Sequence, residues 1–534
     1  MKVVIIGGGA GGASCATRLR RLDEYAEIVI LEKSRENSIA TCGLPYYIGQ
    51  VISDEKNMHV ASAKTFHELF NIDLRLNCEA IGVDPQNKTV RIKNGENIDY
   101  DKLVLAMGNS PVVPNISGLD QQPYFVVKHL QDAEKIKTFI AAHNVFSAAV
   151  IGGGFIGLEM AENLCKLGID VSLIELSDQV LPPLDADMVG QVHQELRRHG
   201  VRLILGDQIK SVTNREICLN SGDKMTVQMI IVAAGVKPET DFVRHIGLDM
   251  TADGLIQADE YMRTNIDDIY ACGDCAAVKN AVSGRFVSVP LAGPANRQGR
   301  LIADHISGKA YKYGGTLGTG AVKIFDLTAA FVGMNEKQLG KIQQNYHKII
   351  TWDKSNAGYY PDAEPLTLKV LYDDEGKILG AQAIGAKNAD KQIDVIATIM
   401  RLNGHADDLR DAELCYAPPY SSAKSPINMI GMVIQNMRQG LIQPFFGTDF
   451  KDMFILDVRP KRMYDLEHIA GAINIPAAEI RSRMNEIPRD QNVLVHCVKG
   501  YTSYVVCRIL MQHGYTNVFS YAGGWQQYKT ESRK

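Results

Sequence analysis

Short apolar runs recur along this chain, each closed by a glycine or an acidic residue. Val3-Val4-Ile5-Ile6 is apolar at every position, which predicts a strand buried on both faces, and Gly7 ends it. An Ala/Arg/Leu-rich stretch at about 13–23 predicts a helix, and Ile28-Val29-Ile30-Leu31 predicts the next strand, ending at Glu32. The unit returns as Ala148-Ala149-Val150-Ile151, a helix, and Val171-Ser172-Leu173-Ile174 ending at Glu175. Leu103-Val104-Leu105-Ala106-Met107-Gly108 and Ile230-Ile231-Val232-Ala233-Ala234-Gly235 are strand-then-glycine exits of the same kind. From Asn436 to Phe450, Gly440, Pro444 and Gly447 mark a connector. A smaller α/β pattern then restarts, with strands at Phe454-Ile455-Leu456 and Val493-Leu494-Val495-His496. The fold class predicted is α/β.

Composition narrows what such a chain can be. Its 534 residues suggest about three to four domains. A hydrophobic fraction of 46% with 22% charged residues excludes a disordered polymer or a coiled-coil rod. A net charge of −4 leaves no overall field to attract nucleic acid or an anionic membrane. No apolar run approaches the ~18 residues of a membrane helix, and the N-terminal run meets glycine too early for a signal peptide. The expectation is a soluble, cytoplasmic protein with neither nucleic acid nor membrane as partner.

Ten cysteines in a chain of this length are no disulfide framework. Most lie in apolar segments and are expected to be buried structural thiols, about eight of them; Cys42 and Cys497 stand in unusual loops. Cys272-Gly273-Asp274-Cys275 has the spacing of a redox or zinc pair, but no second pair completes a zinc site. No metal is expected.

The glycines carry the first chemical signal. In Gly7-Gly8-Gly9-Ala10-Gly11-Gly12, the glycines at 7, 9 and 12 permit a tight turn, close approach of a pyrophosphate, and packing of helix on strand. The helix N-terminus then offers free N–H groups to phosphate, and Glu32 is placed to accept from ribose hydroxyls. Gly152, Gly154, Gly157 and Glu175 repeat the arrangement. Two dinucleotide sites imply two dinucleotides, naturally a flavin and a nicotinamide; two halves binding one nucleotide is the alternative. Glu175, with no arginine close behind it, favours NADH over NADPH.

Thr264 through Asp274 resembles the second FAD signature of the two-dinucleotide flavoprotein reductases, which implies that Asp274 bonds the ribityl chain. Ser38-Ile39-Ala40-Thr41-Cys42-Gly43-Leu44-Pro45-Tyr46 resembles the single-cysteine branch of the flavoprotein disulfide reductases, the coenzyme A-disulfide reductases. With one cysteine where glutathione-reductase-like relatives carry two, Cys42 can form only a mixed disulfide or a sulfenic acid. An NADH oxidase or peroxidase, with a sulfenic acid at Cys42, is the rival reading, and Ala10 counts against it because the peroxidase branch has a histidine there. Tyr359-Tyr360-Pro361 and Cys415-Tyr416-Ala417-Pro418-Pro419-Tyr420 also resemble the coenzyme A-disulfide reductases. The resemblance implies a homodimer in which Tyr359 and Tyr416, with Tyr360 and Tyr420 as neighbours, reach the partner's cysteine; packing in the interface is the plainer reading. It places Ser14, Arg18, Arg21 and Ser38 at coenzyme A, while Arg20 fits a solvated face equally well. Thr41 departs from the asparagine of many relatives. Pro290 through Arg300 should open a helix under the flavin.

The tail resembles the rhodanese fold in Asp457-Val458-Arg459, in His468-Ile469-Ala470-Gly471-Ala472-Ile473-Asn474-Ile475-Pro476, and in Cys497 at a strand's end. The loop Cys497-Val498-Lys499-Gly500-Tyr501-Thr502-Ser503 offers successive N–H groups that cradle a persulfide anion. Thr502 stands where many rhodaneses carry arginine, leaving Lys499 as the loop's cation. Expected domains are FAD-binding at 1–112 and 240–315, NADH-binding at 113–239, α+β dimerisation at 316–440, a linker at 441–450 and rhodanese at 451–534. The expected activity is NADH-driven reduction of coenzyme A disulfide, coenzyme A persulfide or polysulfide at Cys42, with sulfur carried by Cys497. A sulfur-carrier or signalling protein with an idle reductase half is the non-redox alternative.

Overall fold

The structure is a computed structural model that describes residues 1–532. The chain forms two compact units, one from Met1–Val180 with Gly200–Gly318, the other from Leu181–His199 with the chain from Thr319 onward.

The first unit holds two five-stranded parallel sheets of one design. In the first, the strand order is Ile269–Ala271, Lys102–Leu105, Lys2–Ile6, Glu27–Leu31, Asp73–Arg75. In the second it is Arg202–Leu205, Asp170–Glu175, Ser147–Ile151, Met229–Val232, Tyr124–Phe125. Central strands buried on both faces account for the uninterrupted apolar runs in the sequence: Val3, Val4 and Ile5 are fully buried.

The first helix spans Ala10–Leu22, three residues ahead of the expected start. Glycine costs about 1 kcal/mol in a helix, but packing overrides that here. A Cβ on Gly12 would lie 2.0 Å from the Gly7 carbonyl oxygen, and one on Gly11 would lie 2.8 Å from Cys272 Sγ. The helix Ala292–Ile306 crosses it equally closely, with Gly299 against the Gly11 carbonyl.

Arg20 is not part of a solvated face. It is 6% exposed, and its guanidinium donates to the carbonyls of Phe70, Asn71, Asp23 and Glu24. Fewer cysteines are buried than expected. Cys15, Cys272, Cys275, Cys497 and Cys507 are buried and Cys78, Cys165 and Cys218 half-buried, while Cys42 and Cys415 are exposed.

The second unit is built on an antiparallel sheet in the order Gly320–Ile324, Leu327–Gly333, Ile378–Gly385, Pro365–Tyr372, His347–Lys354. The helix Ala186–Arg198 belongs to this unit although it falls inside the stretch read as nucleotide-binding. It is tied there by charge. Lys369, fully buried, donates to Asp187 Oδ1 at 2.5 Å and to Glu336, and Asp185 Oδ2 lies 2.9 Å away. Lys348 adds a second cation to the same carboxylates. Three carboxylates that could have held a metal ion thus surround an ammonium.

The same unit ends in a small parallel sheet, ordered Pro444–Phe445, Val518–Tyr521, Asn492–His496, Met453–Asp457, Ile473–Asn474. Pro444–Phe445 pairs with Ser520 and Tyr521, so the segment read as a linker supplies this sheet's edge strand. Two residues of strand are too short for periodicity to reveal. Among the described residues, no helix is long and apolar enough to cross a membrane.

Candidate active site

The two glycine turns of the first unit are superposable in their chemistry. Gly7 and Gly152 hold φ of +106° and +104°, and a Cβ at either would strike the carbonyl oxygen of Ala106 or Ala233. That left-handed backbone is open to glycine at little cost. A Cβ on Gly9 or Gly154 would meet nothing within 4 Å, so both leave room for a ligand to approach the backbone.

Each turn is locked to its acid. Glu32 accepts from the Gly8 N–H and the Ser34 N–H, both at 2.8 Å. Glu175 accepts from the Gly153 N–H at 2.6 Å and the Ser177 N–H at 2.8 Å. Both carboxylates are therefore fixed at the strand end, where a ribose would lie beside a pyrophosphate on the helix N-terminus.

The first turn opens into a cavity of about 580 Å³ whose walls include Gly9, Ser14, Glu32, Ser38, Cys42 and Asp274. The open glycine, the anchored carboxylate and the cavity fit FAD. Asp274 accepts from Asn109 Nδ2 at 2.7 Å, and Asn109 Oδ1 accepts from Lys128 Nζ at 2.7 Å. Burial raises the Asp274 carboxyl while Lys128 opposes the rise; burial also lowers the Lys128 ammonium. Neither Asn109 nor Lys128 carries a sequence motif; folding alone brings them to Asp274.

Cys42 sits on the turn Thr41–Gly43, just before the helix Leu44–Ile48, with its side chain on the cavity wall. Crowding by neighbouring atoms and then the Glu159 carboxylate push its thiol above the usual range, against a hydrogen bond with Thr41. Glu159, on the helix Phe155–Lys166, is raised to about 7 by burial and accepts from Tyr46 Oη at 3.1 Å. Tyr46 and Glu159 were invisible as a pair because 113 residues separate them.

Of the other residues expected around this cavity, Ser14 Oγ lies 2.5 Å from Asn296 Oδ1, and Ser38 Oγ donates to the Gly8 carbonyl at 3.3 Å. Arg18 is committed to Asp304 through Nε and Nη2, and Arg21 is exposed. Cys272 and Cys275 are both buried, with thiols raised by burial, the latter to about 11. Such thiols are inert. Cys272 Sγ packs against Gly11, and Cys275 Sγ donates to the Leu105 and Cys272 carbonyls.

In the second unit the four tyrosines are all exposed, and Tyr359 Oη lies 2.9 Å from Tyr416 Oη. Sharing that hydrogen bond raises the Tyr359 phenol above its ordinary value. Tyr360 and Tyr420 line a separate cavity of about 640 Å³ with Cys415, Lys387 and Lys391.

Cys497 ends the strand Asn492–His496. Its Sγ accepts from the Gly500 N–H at 3.2 Å and lies 3.6 Å from Ser503 Oγ. The helix Tyr501–Gln512 begins directly behind, capped by Gly500 at φ +104°. A sulfur anion here meets N–H groups and a helix N-terminus together. Asp457 and Arg459 do not face solvent. They form a buried ion pair at 2.6 Å, with the guanidinium 4.4 Å from the Trp525 ring centroid. Burial lowers the adjacent His496 to about 4, so it is neutral.

The chain belongs to the pyridine nucleotide-disulphide oxidoreductase family, whose description matches residues 1–299, with the family's dimerisation domain at 319–426. It is an oxidoreductase, using FAD and a pyridine nucleotide, and a rhodanese-like domain covers 444–531. Among curated relatives, a coenzyme A disulfide reductase of Staphylococcus aureus is 36% identical over 437 residues, covering 80% of this chain and 99% of that protein. Among solved structures, reduced Bacillus anthracis CoADR-RHD is 40% identical with a TM-score of 0.97, covering 100% of this chain and 98% of that one. A NAD-dependent persulfide reductase from A. fulgidus is 35% identical with a TM-score of 0.94, covering 99% of this chain and 100% of that one.

Proposed function

We propose that this protein uses NADH to reduce coenzyme A disulfide, coenzyme A persulfide or polysulfide at Cys42, and that Cys497 carries the sulfane sulfur. The observation that carries the reading is the exposed thiol of Cys42 on the wall of the cavity formed by the first glycine turn, where the other lining cysteine, Cys272, is buried. Likeness to the coenzyme A disulfide reductase and the persulfide reductase supports it.

FAD, when bound, supplies a two-electron relay between nicotinamide and sulfur. Glu175 orients the NADH ribose and repels a 2′-phosphate. The Cys42 thiolate attacks the substrate sulfur, the S–S bond breaks, and the departing sulfur leaves as a thiolate or hydrosulfide. For a persulfide, NADH and one solvent proton together supply what converts it to one thiol and one hydrogen sulfide.

In a homodimer the Tyr359–Tyr416 pair of one subunit serves the Cys42 of the other. One phenol donates to its neighbour, and the second phenol's proton is then free to meet the departing sulfur. Arg21 and the remaining Nη1 of Arg18 attract the phosphates of coenzyme A, near Ser14 and Ser38. The protein is cytoplasmic in this reading, where reduced pyridine nucleotide and coenzyme A are supplied.

Mass spectrometry of the purified protein tests the site directly, by asking whether coenzyme A is disulfide-bonded at Cys42. Cys42→Ser should keep NADH-driven bleaching of the flavin but lose turnover of coenzyme A disulfide and persulfide. Wild-type turnover in that variant refutes the reading.

A further inference from the structure

A sulfur anion at Cys497 needs the N–H groups of its loop held in one direction. The Gly500 N–H donates to Cys497 Sγ at 3.2 Å. In a trans peptide the N–H opposes the C=O, so whatever pins the loop's carbonyls also fixes how its N–H groups point. The last helix does that pinning. The Trp525 N–H donates to the Cys497 carbonyl at 2.8 Å, and the Gln526 N–H donates to the Val498 carbonyl at 3.2 Å. Both belong to the first turn of the helix Gly524–Ser532, whose N–H groups have no carbonyl of their own helix to meet. Gly523 and Gly524 hold φ of +72° and +60°, and a Cβ on Gly524 would lie 2.5 Å from the Cys497 carbonyl oxygen. Helix and loop therefore meet backbone to backbone.

That helix is in turn held by one buried side chain. Gln527 is 1% exposed. Its Oε1 accepts from Trp352 Nε1 at 3.1 Å, and Trp352 lies on the edge strand His347–Lys354. Its Nε2 donates to the Asp187 carbonyl at 2.7 Å and to Glu531 Oε1 at 2.8 Å. Asp187 lies in the first turn of the helix Ala186–Arg198. The two helices approach closely there, because a Cβ on Gly190 would lie 2.7 Å from the Thr530 carbonyl oxygen. An unbroken path of hydrogen bonds and helix backbone runs from Trp352 and Asp187 through Gln527 to the Cys497 loop, all within the second unit.

We propose that Gln527 is a positioning residue of the Cys497 site. It anchors the last helix on strand His347–Lys354 and helix Ala186–Arg198, and so keeps the loop's N–H groups on the sulfur. The inference rests on the reading of Cys497 as a sulfur carrier. With inorganic polysulfide the step is a transfer without net oxidation. The Cys497 thiolate attacks a terminal sulfur, the S–S bond breaks, and a polysulfide one sulfur shorter leaves with the electron pair. Cys497 then holds the persulfide anion, which the loop's N–H groups stabilise. Gln527 touches no reacting atom.

The test uses the full-length holoenzyme. Single-turnover sulfur uptake from inorganic polysulfide is read from the mass of the Cys497 peptide after quenching with iodoacetamide. Bleaching of the flavin by NADH in the same sample should stay at wild-type rate. Gln527→Met removes both polar arms at equal length and should slow uptake by about five- to fiftyfold, less than the ~10²–10³ of deleting a donor outright. In Gln527→Glu the protonated carboxyl offers one donor and one acceptor, while the ionised form offers the Asp187 carbonyl no donor. Its uptake relative to wild type should therefore be low at pH 8 and recover as pH falls to about 6, since burial and Glu531 beside it favour the protonated form. Trp352→Phe should slow uptake less, and combined with Gln527→Met should slow it no further than Gln527→Met alone. Wild-type uptake in Gln527→Met, a Gln527→Glu profile parallel to wild type, or fully additive effects in the double variant overturn the proposal alone. A wild-type Cys497 that takes no sulfur from polysulfide or thiosulfate overturns the sulfur-carrier reading, and this inference with it.

Discussion

Replacing Glu175 with alanine should shift nucleotide preference from NADH toward NADPH. The carboxylate ends the strand Asp170–Glu175 and is held by the Gly153 and Ser177 N–H groups, so it cannot swing aside for a larger ligand. A 2′-phosphate with two negative charges about 5 Å from it, at an effective dielectric constant between ~40 and ~80, is repelled by about 1.7–3.3 kcal/mol. That is roughly fifteen- to two-hundred-fold in kcat/KM. NADH loses a charged hydrogen bond to its ribose in the variant, worth about 1.5–3 kcal/mol where it is formed. Both effects move the NADPH/NADH ratio the same way, so it should rise by at least about tenfold. The assay is kcat/KM for each nucleotide with one sulfur substrate, together with the rate of flavin bleaching by each nucleotide in the absence of substrate. An unchanged thermal transition shows that the turn still folds, the freed N–H groups being taken up by water. A ratio equal to wild type in both measurements would refute the role given to Glu175.

Three further outcomes follow from the geometry. Tyr359→Phe and Tyr416→Phe should each slow the sulfur step by about 10²–10⁴-fold while flavin bleaching by NADH stays at wild-type rate; single-turnover kinetics separates the two. Lys369→Met leaves Asp185, Asp187 and Glu336 without their central cation, a loss of about 3–5 kcal/mol, or about 6–20 °C in the transition of the second unit. Both tryptophans, Trp352 and Trp525, belong to that unit, so their fluorescence reports it selectively. The uncompensated carboxylates would have raised pKa values, so the deficit should be largest near neutral pH and shrink as they protonate toward pH ~4. Glu159→Gln should move the midpoint for Cys42 alkylation to lower pH, because a negative neighbour is gone. In the wild type the folded Glu159 carboxyl titrates at about 7, above its ordinary value. The native state therefore holds the extra proton between those values, and stability falls as pH rises through that window. Urea unfolding at pH 5 and 8 should show that fall in the wild type and less of it in Glu159→Gln.

What the sequence determined by itself was local. Gly7 needs a left-handed backbone because of the carbonyl beside it, and Gly12 needs no side chain because of the turn four to five residues earlier. Glu32 and Glu175 follow their strands directly and bond to N–H groups of their own turns. Such features depend on a few neighbouring residues and on the twist of one β-α-β unit, so their spacing is readable in the chain. The lone Cys42 and the Cys497 loop are legible for the same reason.

Only the tertiary structure decided where charge is paired. Arg18 and Arg20 are alike in sequence and two positions apart. One meets Asp304 across 286 residues, and the other is buried against backbone carbonyls. Helix Ala186–Arg198 reads as part of a nucleotide domain, yet it belongs to the other unit, where the Lys369 and Lys348 ammoniums of distant strands pair with its Asp187. A buried ion is tolerated only with a partner at contact distance or a field from one nearby. Which residue becomes that partner depends on how the sheets and helices pack, and no local pattern in the sequence records it.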